Sequence, residues 1–437
     1  MRLILTAVAA TWFLITTACG GNWPHWRGPN YNGSSAETNL PTRWSPTENI
    51  RWSAGLPGPS AATPIVWGDQ VFISSTVPDK NELMAFCFRR TDGTRLWQHV
   101  VETGLRKDRQ STFAAPSPVT DGQRVVFFYS SGTFVTYAMD GKELWRRNIQ
   151  KDYGEFAFQW TFSSTPLLYG GKLYLQVLQR DVPANGHGLA DQENLSYLLA
   201  MDPDTGKTLW RHIRPSNAVA ESREAFTSPI PFTYRGRAEI LVVGGDALSG
   251  HDPATGAELW RWGTWNPTRV PHWRLVTSPV AGGGVILACA PKKSPIYAVK
   301  AGGQGVLTDE ALAWVSRDQR AVSSDVPTPE FYDGDFFVLC SARRSLSRVA
   351  PRTGKIKWTV TTPGRSKYEA SPTVADDKIY LLNFDGHVLV VAAKNGNILN
   401  EISMAAREES PVRSTIAVAG GNLFIRTNSK LYCVGGD

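Results

Sequence analysis

Residues 200–210 read Ala200-Met201-Asp202-Pro203-Asp204-Thr205-Gly206-Lys207-Thr208-Leu209-Trp210: an apolar end, a run of turn formers, and a Trp four places beyond the Gly. Asp and Pro start turns, and Gly accepts the positive φ that closes them, so the stretch predicts a hairpin between two strands. The same Gly-to-Trp spacing returns at Gly93/Trp97, Gly141/Trp145, Gly256/Trp260 and Gly354/Trp358. Trp314 fills the slot without its Gly, Gly396 has Asn400 in the Trp slot, and Trp52 stands in the slot alone, which brings the count to eight. The reading of these residues is structural: Gly supplies the turn and Trp a flat surface between neighbouring units.

A second phrase precedes each copy. Thr63-Pro64, Ser117-Pro118, Thr165-Pro166, Ser228-Pro229, Ser278-Pro279, Thr328-Pro329, Ser371-Pro372 and a degenerate Thr415-Ile416 each open a stretch of apolar alternation and a Gly or Asp turn. The 352 residues from Pro64 to Ile416 cover seven steps, about 50 per repeat, which leaves no room for a second folded domain. Within residues 370–400 the pattern predicts strands at 371–374, 379–383 and 388–392, with a fourth after Gly396. Four antiparallel strands in 40 to 50 residues describe a propeller blade, so the fold class is all-β, an eight-bladed β-propeller. The last unit stops after its third strand near Leu431 to Val434, while Trp52 has no strands before it. The N-terminal strand is therefore expected to complete the last blade and close the ring.

Outside the repeat, the first 18 residues carry one cation, Arg2, an apolar stretch from Leu3 to Ile15 and then small residues. This reads as an export signal, too short to span a bilayer. Thr16-Thr17-Ala18-Cys19-Gly20 resembles a bacterial lipobox, with Cys19 as the lipidated first residue. The expected organisation is a lipoprotein-type signal over 1–18, an N-terminal extension over 19–46 and a propeller over 47–437. The 46 basic and 39 acidic residues leave +7, spread along the sequence rather than gathered in a run, which is weak support for a nucleic-acid or membrane-surface partner. Cys87, Cys289, Cys340 and Cys433 form no CxxC or adjacent pair and read as small buried hydrophobes. Cys87 and Cys433 sit ten residues before a Trp slot, counting Cys433 across the closure, where other copies place Ala200 or Gly250. HxxxH, GxSxG and GxxxxGK[ST] motifs are absent, so zincin, hydrolase-elbow and P-loop readings have no support.

The 200–210 phrase resembles the repeat of the pyrroloquinoline-quinone (PQQ) type propellers, a family that holds quinoprotein dehydrogenases and non-catalytic BamB-like lipoproteins of the outer membrane. The opening Asn22-Trp23-Pro24-His25-Trp26-Arg27-Gly28-Pro29 also resembles the N-terminal signature of an exported bacterial group of such propellers. The resemblance implies two function classes. A PQQ-dependent dehydrogenase of alcohols or sugars would need adjacent cysteines over the cofactor, a Trp beneath it, a Ca²⁺ shell and a catalytic Asp. Adjacent cysteines and an Asp-rich calcium loop are missing. The preferred expectation is a non-catalytic scaffold, monomeric and without cofactor, acting in the periplasm or on the outer membrane. It would bind a protein or small ligand, with no nucleic acid and no membrane contact beyond a lipid anchor.

Loop lengths point to where binding would occur, because connections from second to third strand and from blade to blade share one face. The long ones are 179–195 and the stretches 98–112, 146–160 and 261–275, which carry Arg106, Arg109, Tyr153, Trp160, Trp265, His272, Trp273 and Arg274. Asp181, Asp191 and Glu193 with His187 are too irregularly spaced for a calcium loop. Counting back three from the Pro of repeat seven gives Glu369, and from Ile416 gives Arg413, in the register that places Ala61, Ala115, Ser163, Phe226, Val276 and Val326 in earlier blades. The two are expected to face each other, either as an ion pair fixing the ring closure or as a polar anchor of a ligand pocket with Lys367, Arg320 and Trp160 nearby.

Overall fold

Each turn marked in the sequence closes an antiparallel hairpin, and the hairpins assemble in chain order into eight sheets, seven of four strands and one, in blade 4, with a fifth strand added at its outer edge. The computed structural model describes residues 21–106, 108, 111–263, 265–405 and 409–435; the expected signal over 1–18, Cys19 and Arg109 lie outside them. Blade 7 shows the local logic: strands Thr373–Ala375, Lys378–Leu382, His387–Ala392 and Ile398–Ser403 run from the axis outward. Ser371 and Pro372 stay outside the first strand because the Ser371 hydroxyl accepts the backbone N–H of Thr328 in blade 6, a bond between blades rather than along a strand. Middle strands are apolar and buried on both faces, and outer strands alternate, as sheets stacked side by side require. The ring closes as expected. Ile50–Gly55 pairs antiparallel with Lys430–Gly435, setting Trp52 opposite Cys433, Ser53 opposite Tyr432 and Ala54 opposite Leu431.

The repeated Gly does more than turn the chain. A Cβ placed on Gly206 would lie 2.6 Å from the Trp145 ring of the preceding blade, and the same relation joins Gly93 to Trp52, Gly141 to Trp97, Gly256 to Trp210, Gly354 to Trp314 and Gly396 to Trp358. Each Trp therefore lies flat on the bare backbone of the next blade, and most donate their Nε1–H to it. Trp52 donates to the Arg90 carbonyl (2.6 Å), Trp145 to Pro203 (2.8 Å) and Trp314 to Pro351 (2.7 Å). Trp260 differs: its Nε1–H goes to Glu239 Oε2 of its own blade, 2.6 Å away. The reason is an insertion in the next blade, where Gly305–Leu307 folds back as a parallel fifth strand on Glu258–Trp262. That insertion also explains why the Trp314 copy lacks its Gly.

Cys87 stands opposite Trp97 and Cys433 opposite Trp52, each in the third strand of its blade, in the slot that Ala200 fills opposite Trp210. Most blades put a small side chain there, with Thr136, Gly250 and Ala298 in the same place, whereas blade 6 puts Arg348 opposite Trp358. Cys87, Cys289, Cys340 and Cys433 are all buried and unbridged. Burial pushes the Cys433 thiol up to about 12 and those of Cys87 and Cys289 higher still, so almost no thiolate is present at neutral pH. Ellman titration of the folded protein is expected to leave all four unreacted over minutes and to label all four in urea. Rapid labelling of Cys87 or Cys433 without denaturant would contradict this packing.

Residues 21–46 lie across the end of the ring formed by the turns between first and second strands. Trp23 bridges to Val66, the Pro24 carbonyl accepts from Thr120 N (3.1 Å), Tyr31 Oη donates to Leu168 O (3.3 Å) and Phe331 N to Asn32 O (3.1 Å). At its centre Arg27 is 1% exposed beside Glu330 at 0%, 3.4 Å apart, and also donates to the Pro329 carbonyl at 2.6 Å. Burial, with the Arg27 charge, holds His25 down at about 3, so its imidazole is neutral. Gly28 and Gly33 have φ of 74° and 84°, and a Cβ on either would strike Trp23 or Arg27. The Trp23-to-Pro29 signature is thus a built stopper for one end of the ring. No helix among the described residues is long and apolar enough to cross a membrane.

Candidate functional site

The seven Ser/Thr-Pro phrases and Thr415-Ile416 meet at the axis. The backbone N–H of Thr63 donates to the Ser117 hydroxyl (2.9 Å), Ser117 to Thr165 (3.1 Å) and Thr165 to Ser228 (2.9 Å). Ser228 then donates to Ser278 (2.9 Å), Ser278 to Thr328 (3.0 Å) and Thr328 to Ser371 (2.9 Å), so a belt of hydrogen bonds runs from blade to blade. Each of these six links needs a short hydroxyl just before a first strand, which accounts for Ser or Thr at Ser117, Thr165, Ser228, Ser278, Thr328 and Ser371.

Inside the belt lies a funnel of about 370 Å³, at the lower end of the range for small-ligand sites. All eight hydroxyl residues line it, and so do all eight register residues, from Ala61 and Ala115 round to Glu369 and Arg413. Trp26 of the N-terminal stopper lines it as well, with its Nε1 buried and without a partner among the described residues. Toward the long-loop face the wall is Trp160, Arg274, Lys292, Asp325 and Lys367.

Glu369 and Arg413 face each other as expected, with Arg413 Nη1 2.8 Å from Glu369 Oε2, and Lys367 Nζ lies 3.6 Å from the other oxygen. Arg413 also covers the Phe384 ring at 4.4 Å. The pair both bridges the closing blades and lines the funnel, so the two expected placements coincide. Across the funnel, Arg274 pairs with Glu221 at 2.6 Å and stands over the Trp160 ring at 5.9 Å, while Trp160 Nε1 donates to the same carboxylate at 3.3 Å.

Other candidates lie elsewhere. Trp273 packs against the apolar core of blades 3 to 5 and does not line the funnel, and Arg320 is exposed on the 316–329 connection outside it. Trp265, expected on the binding loops, is 3% exposed and packs on Trp262 at 5.8 Å; a ring in a long connection had apolar surface within reach and joined the core. Tyr153 bonds Thr208 on the flank, Arg106 caps the carbonyls of Phe158 and Gln159, and His272 is exposed. In the 179–195 loop, Asp181 and Glu193 pair with Arg223 at 3.0 and 3.7 Å, and His187 contacts Glu155 at 2.7 Å. Under that loop Glu224 is fully buried against Arg180, and burial pushes its carboxyl up to about 7 despite the guanidinium. The hydroxyl belt and Trp26 escaped sequence reasoning. The seven Ser/Thr-Pro phrases and Thr415-Ile416 were visible, but as blade markers.

Eight four-stranded blades, a Trp lid on each Gly turn and a strand exchanged at the closure define an eight-bladed propeller of the PQQ type. The chain matches the family described as outer membrane protein assembly factor BamB over residues 42–182, 153–321 and 196–436, and it belongs to that family. Among solved structures it is similar to BamB from Moraxella catarrhalis, with 14% identity and a TM-score of 0.59 over 87% of this chain and 97% of that one. It is also similar to quinohemoprotein alcohol dehydrogenase from Comamonas testosteroni (13% identity, TM-score 0.63, 95% and 81% covered). A europium-containing methanol dehydrogenase compares at 11% identity and TM-score 0.66, with 92% and 89% covered. Identities this low establish the shared fold alone. No curated protein matches the chain.

Proposed function

We propose that this protein is an exported, non-catalytic scaffold of the bacterial cell envelope, held by a lipid on Cys19, that binds a protein partner through its long-loop face. The observation that carries this reading is the state of the funnel's charged groups. A calcium-bound quinone requires several carboxylate and amide oxygens turned to one point. The two carboxylates lining the funnel are committed elsewhere: Glu369 to Arg413 and Lys367, and Asp325 to the backbone N–H of Lys292 at 2.8 Å. No group of three His, Cys, Asp or Glu suited to a metal ion occurs among the described residues. The residues present do not fit a PQQ–Ca²⁺ pair. The family description and the lipobox-like run at 16–20 support the envelope location.

Two measurements test the reading together. A photo-crosslinking amino acid at His272, on the long-loop face, is expected to give discrete protein adducts in cells, and one at Arg235, on the opposite turn face, none. Purified protein given PQQ and Ca²⁺ is expected to show no cofactor absorbance and no dye reduction with alcohols or sugars. Dye reduction that disappears in Glu369→Ala would establish the dehydrogenase reading instead.

A further inference from the structure

Spread evenly in sequence, the positive charge is not spread evenly in space. The second-to-third-strand loop 290–295 carries Lys292 and Lys293, and the following connection 316–329 carries Arg317 and Arg320. In the next blade, loop 341–344 brings Arg343 and Arg344, and connection 362–372 brings Arg365 and Lys367. All eight are exposed, against three acidic residues in the same four loops, Asp318, Asp325 and Glu369. An excess of five in a sector of blades 5 to 7 accounts for most of the +7 of the whole chain.

The four loops form one surface. Lys292 N donates to Asp325 Oδ1 (2.8 Å), Ser345 Oγ to Ala321 O (3.4 Å), and Arg344 Nη1 to Gly364 O (2.8 Å). Elsewhere, many guanidinium groups are matched to carboxylates, as in Arg124–Asp204, Arg147–Asp152, Arg223–Asp181 and Arg348–Asp335, while others, such as Arg106, Arg214 and Arg426, are spent on backbone carbonyls. In this sector Lys367 alone has an ion-pair partner among the described residues, at 3.6 Å. The surface is continuous with the funnel, because Lys292 and Lys367 line both. Below them the belt hydroxyls of Ser278, Thr328 and Ser371 are 2%, 1% and 8% exposed. Their oxygens accept backbone N–H groups, and among the described residues none donates its own proton to a protein acceptor. Rim cations and inward hydroxyl protons are both donors, and both call for carboxylate oxygens.

We infer that the loops of blades 5 to 7 are the docking surface for an acidic polypeptide segment, a run of Asp and Glu side chains lying across the cations with one carboxylate entering the funnel. A lipid surface fits less well: none of the large exposed apolar side chains, such as Leu96, Val182 or Val306, belongs to these loops, and interfacial binding inserts such groups. Single-stranded nucleic acid needs exposed aromatic platforms, and the sole aromatic of the four loops, Tyr368, is 4% exposed. The inference rests on the scaffold reading and adds the partner's chemistry and position.

Fluorescein-labelled octaglutamate, followed by anisotropy on the full chain, tests it. Arg320→Glu/Arg343→Glu/Arg365→Glu, one reversal in each of three loops, is expected to weaken binding about tenfold or more, and added salt to weaken it in the unmodified protein. Arg235→Glu/Arg352→Glu on the turn face should stay within about twofold of the unmodified protein. The double variant Arg343→Glu/Arg365→Glu, expected to fall between, serves if the triple variant is unstable. Equal binding by the reversed and unmodified proteins overturns the inference. Tighter binding of phosphatidylglycerol vesicles or of oligothymidylate through the same residues also overturns it. Failure of octaglutamate while crosslinking at His272 still captures a protein overturns the inference and leaves the scaffold standing.

Discussion

Replacing Arg27 with Ala is expected to lower the unfolding free energy by about 3–5 kcal/mol, the cost of leaving one member of a buried ion pair alone. Arg27 and Glu330 sit at 1% and 0% exposure, 303 positions apart, and the guanidinium also donates to the Pro329 and Pro372 carbonyls. Burial pushes the Glu330 carboxyl upward and Arg27 alone opposes it with a charge. Without the cation, Glu330 takes up a proton or draws water into the stopper, and either outcome loosens residues 21–46 from blades 6 and 7. Urea unfolding at neutral pH measures the loss. The paired change Arg27→Met/Glu330→Leu is expected to recover most of it, since two apolar groups of similar size need no compensation. A loss below about 1 kcal/mol for Arg27→Ala would mean that the pair is solvated in solution.

Gly206→Ala is expected to cost about 2–5 kcal/mol, combining a torsional penalty of about 1–2 kcal/mol at positive φ with an overpacking penalty of about 1–3 kcal/mol. Gly206 has φ 69°, and its added methyl would meet the Trp145 ring at 2.6 Å. Gly170 separates the two causes: its φ is 56° but nothing lies within 4 Å, so Gly170→Ala should cost the torsional share alone. In a Trp145→Ala background the Gly206 substitution should shed its overpacking share, a coupling that a double-mutant cycle reads directly. Equal losses at Gly206 and Gly170 would show that the ring moves aside without strain.

Blade number, ring closure, the cysteine slots and the Glu369–Arg413 contact were legible because they repeat or follow from register. Once the unit length is known, a residue in one blade is placed by its homologue in the next. The N-terminal stopper was not legible, because its contacts are unique and long-range: Leu40 N reaches Asp376 at 2.9 Å across 336 positions. Nor was the parallel strand Gly305–Leu307, whose three residues show no alternation long enough to declare a strand. Trp265 and Trp160 lie in long connections of the same face, and composition gave no means of telling the one that joined the core from the one that lines the funnel. The basic sector stayed hidden for a related reason. Its cations come in pairs from four loops and meet only when blades 5 to 7 stand side by side.

The shared blade also sets the order in which the ring can form during synthesis. Ile50–Gly55 emerges early, yet its partner Lys430–Gly435 follows about 380 residues later. Until then one edge of the nascent array has no neighbour, and blade 8 is represented by its outer strand alone. That strand must stay free of other partners for nearly the whole of synthesis, so closing the ring is the last step of assembly.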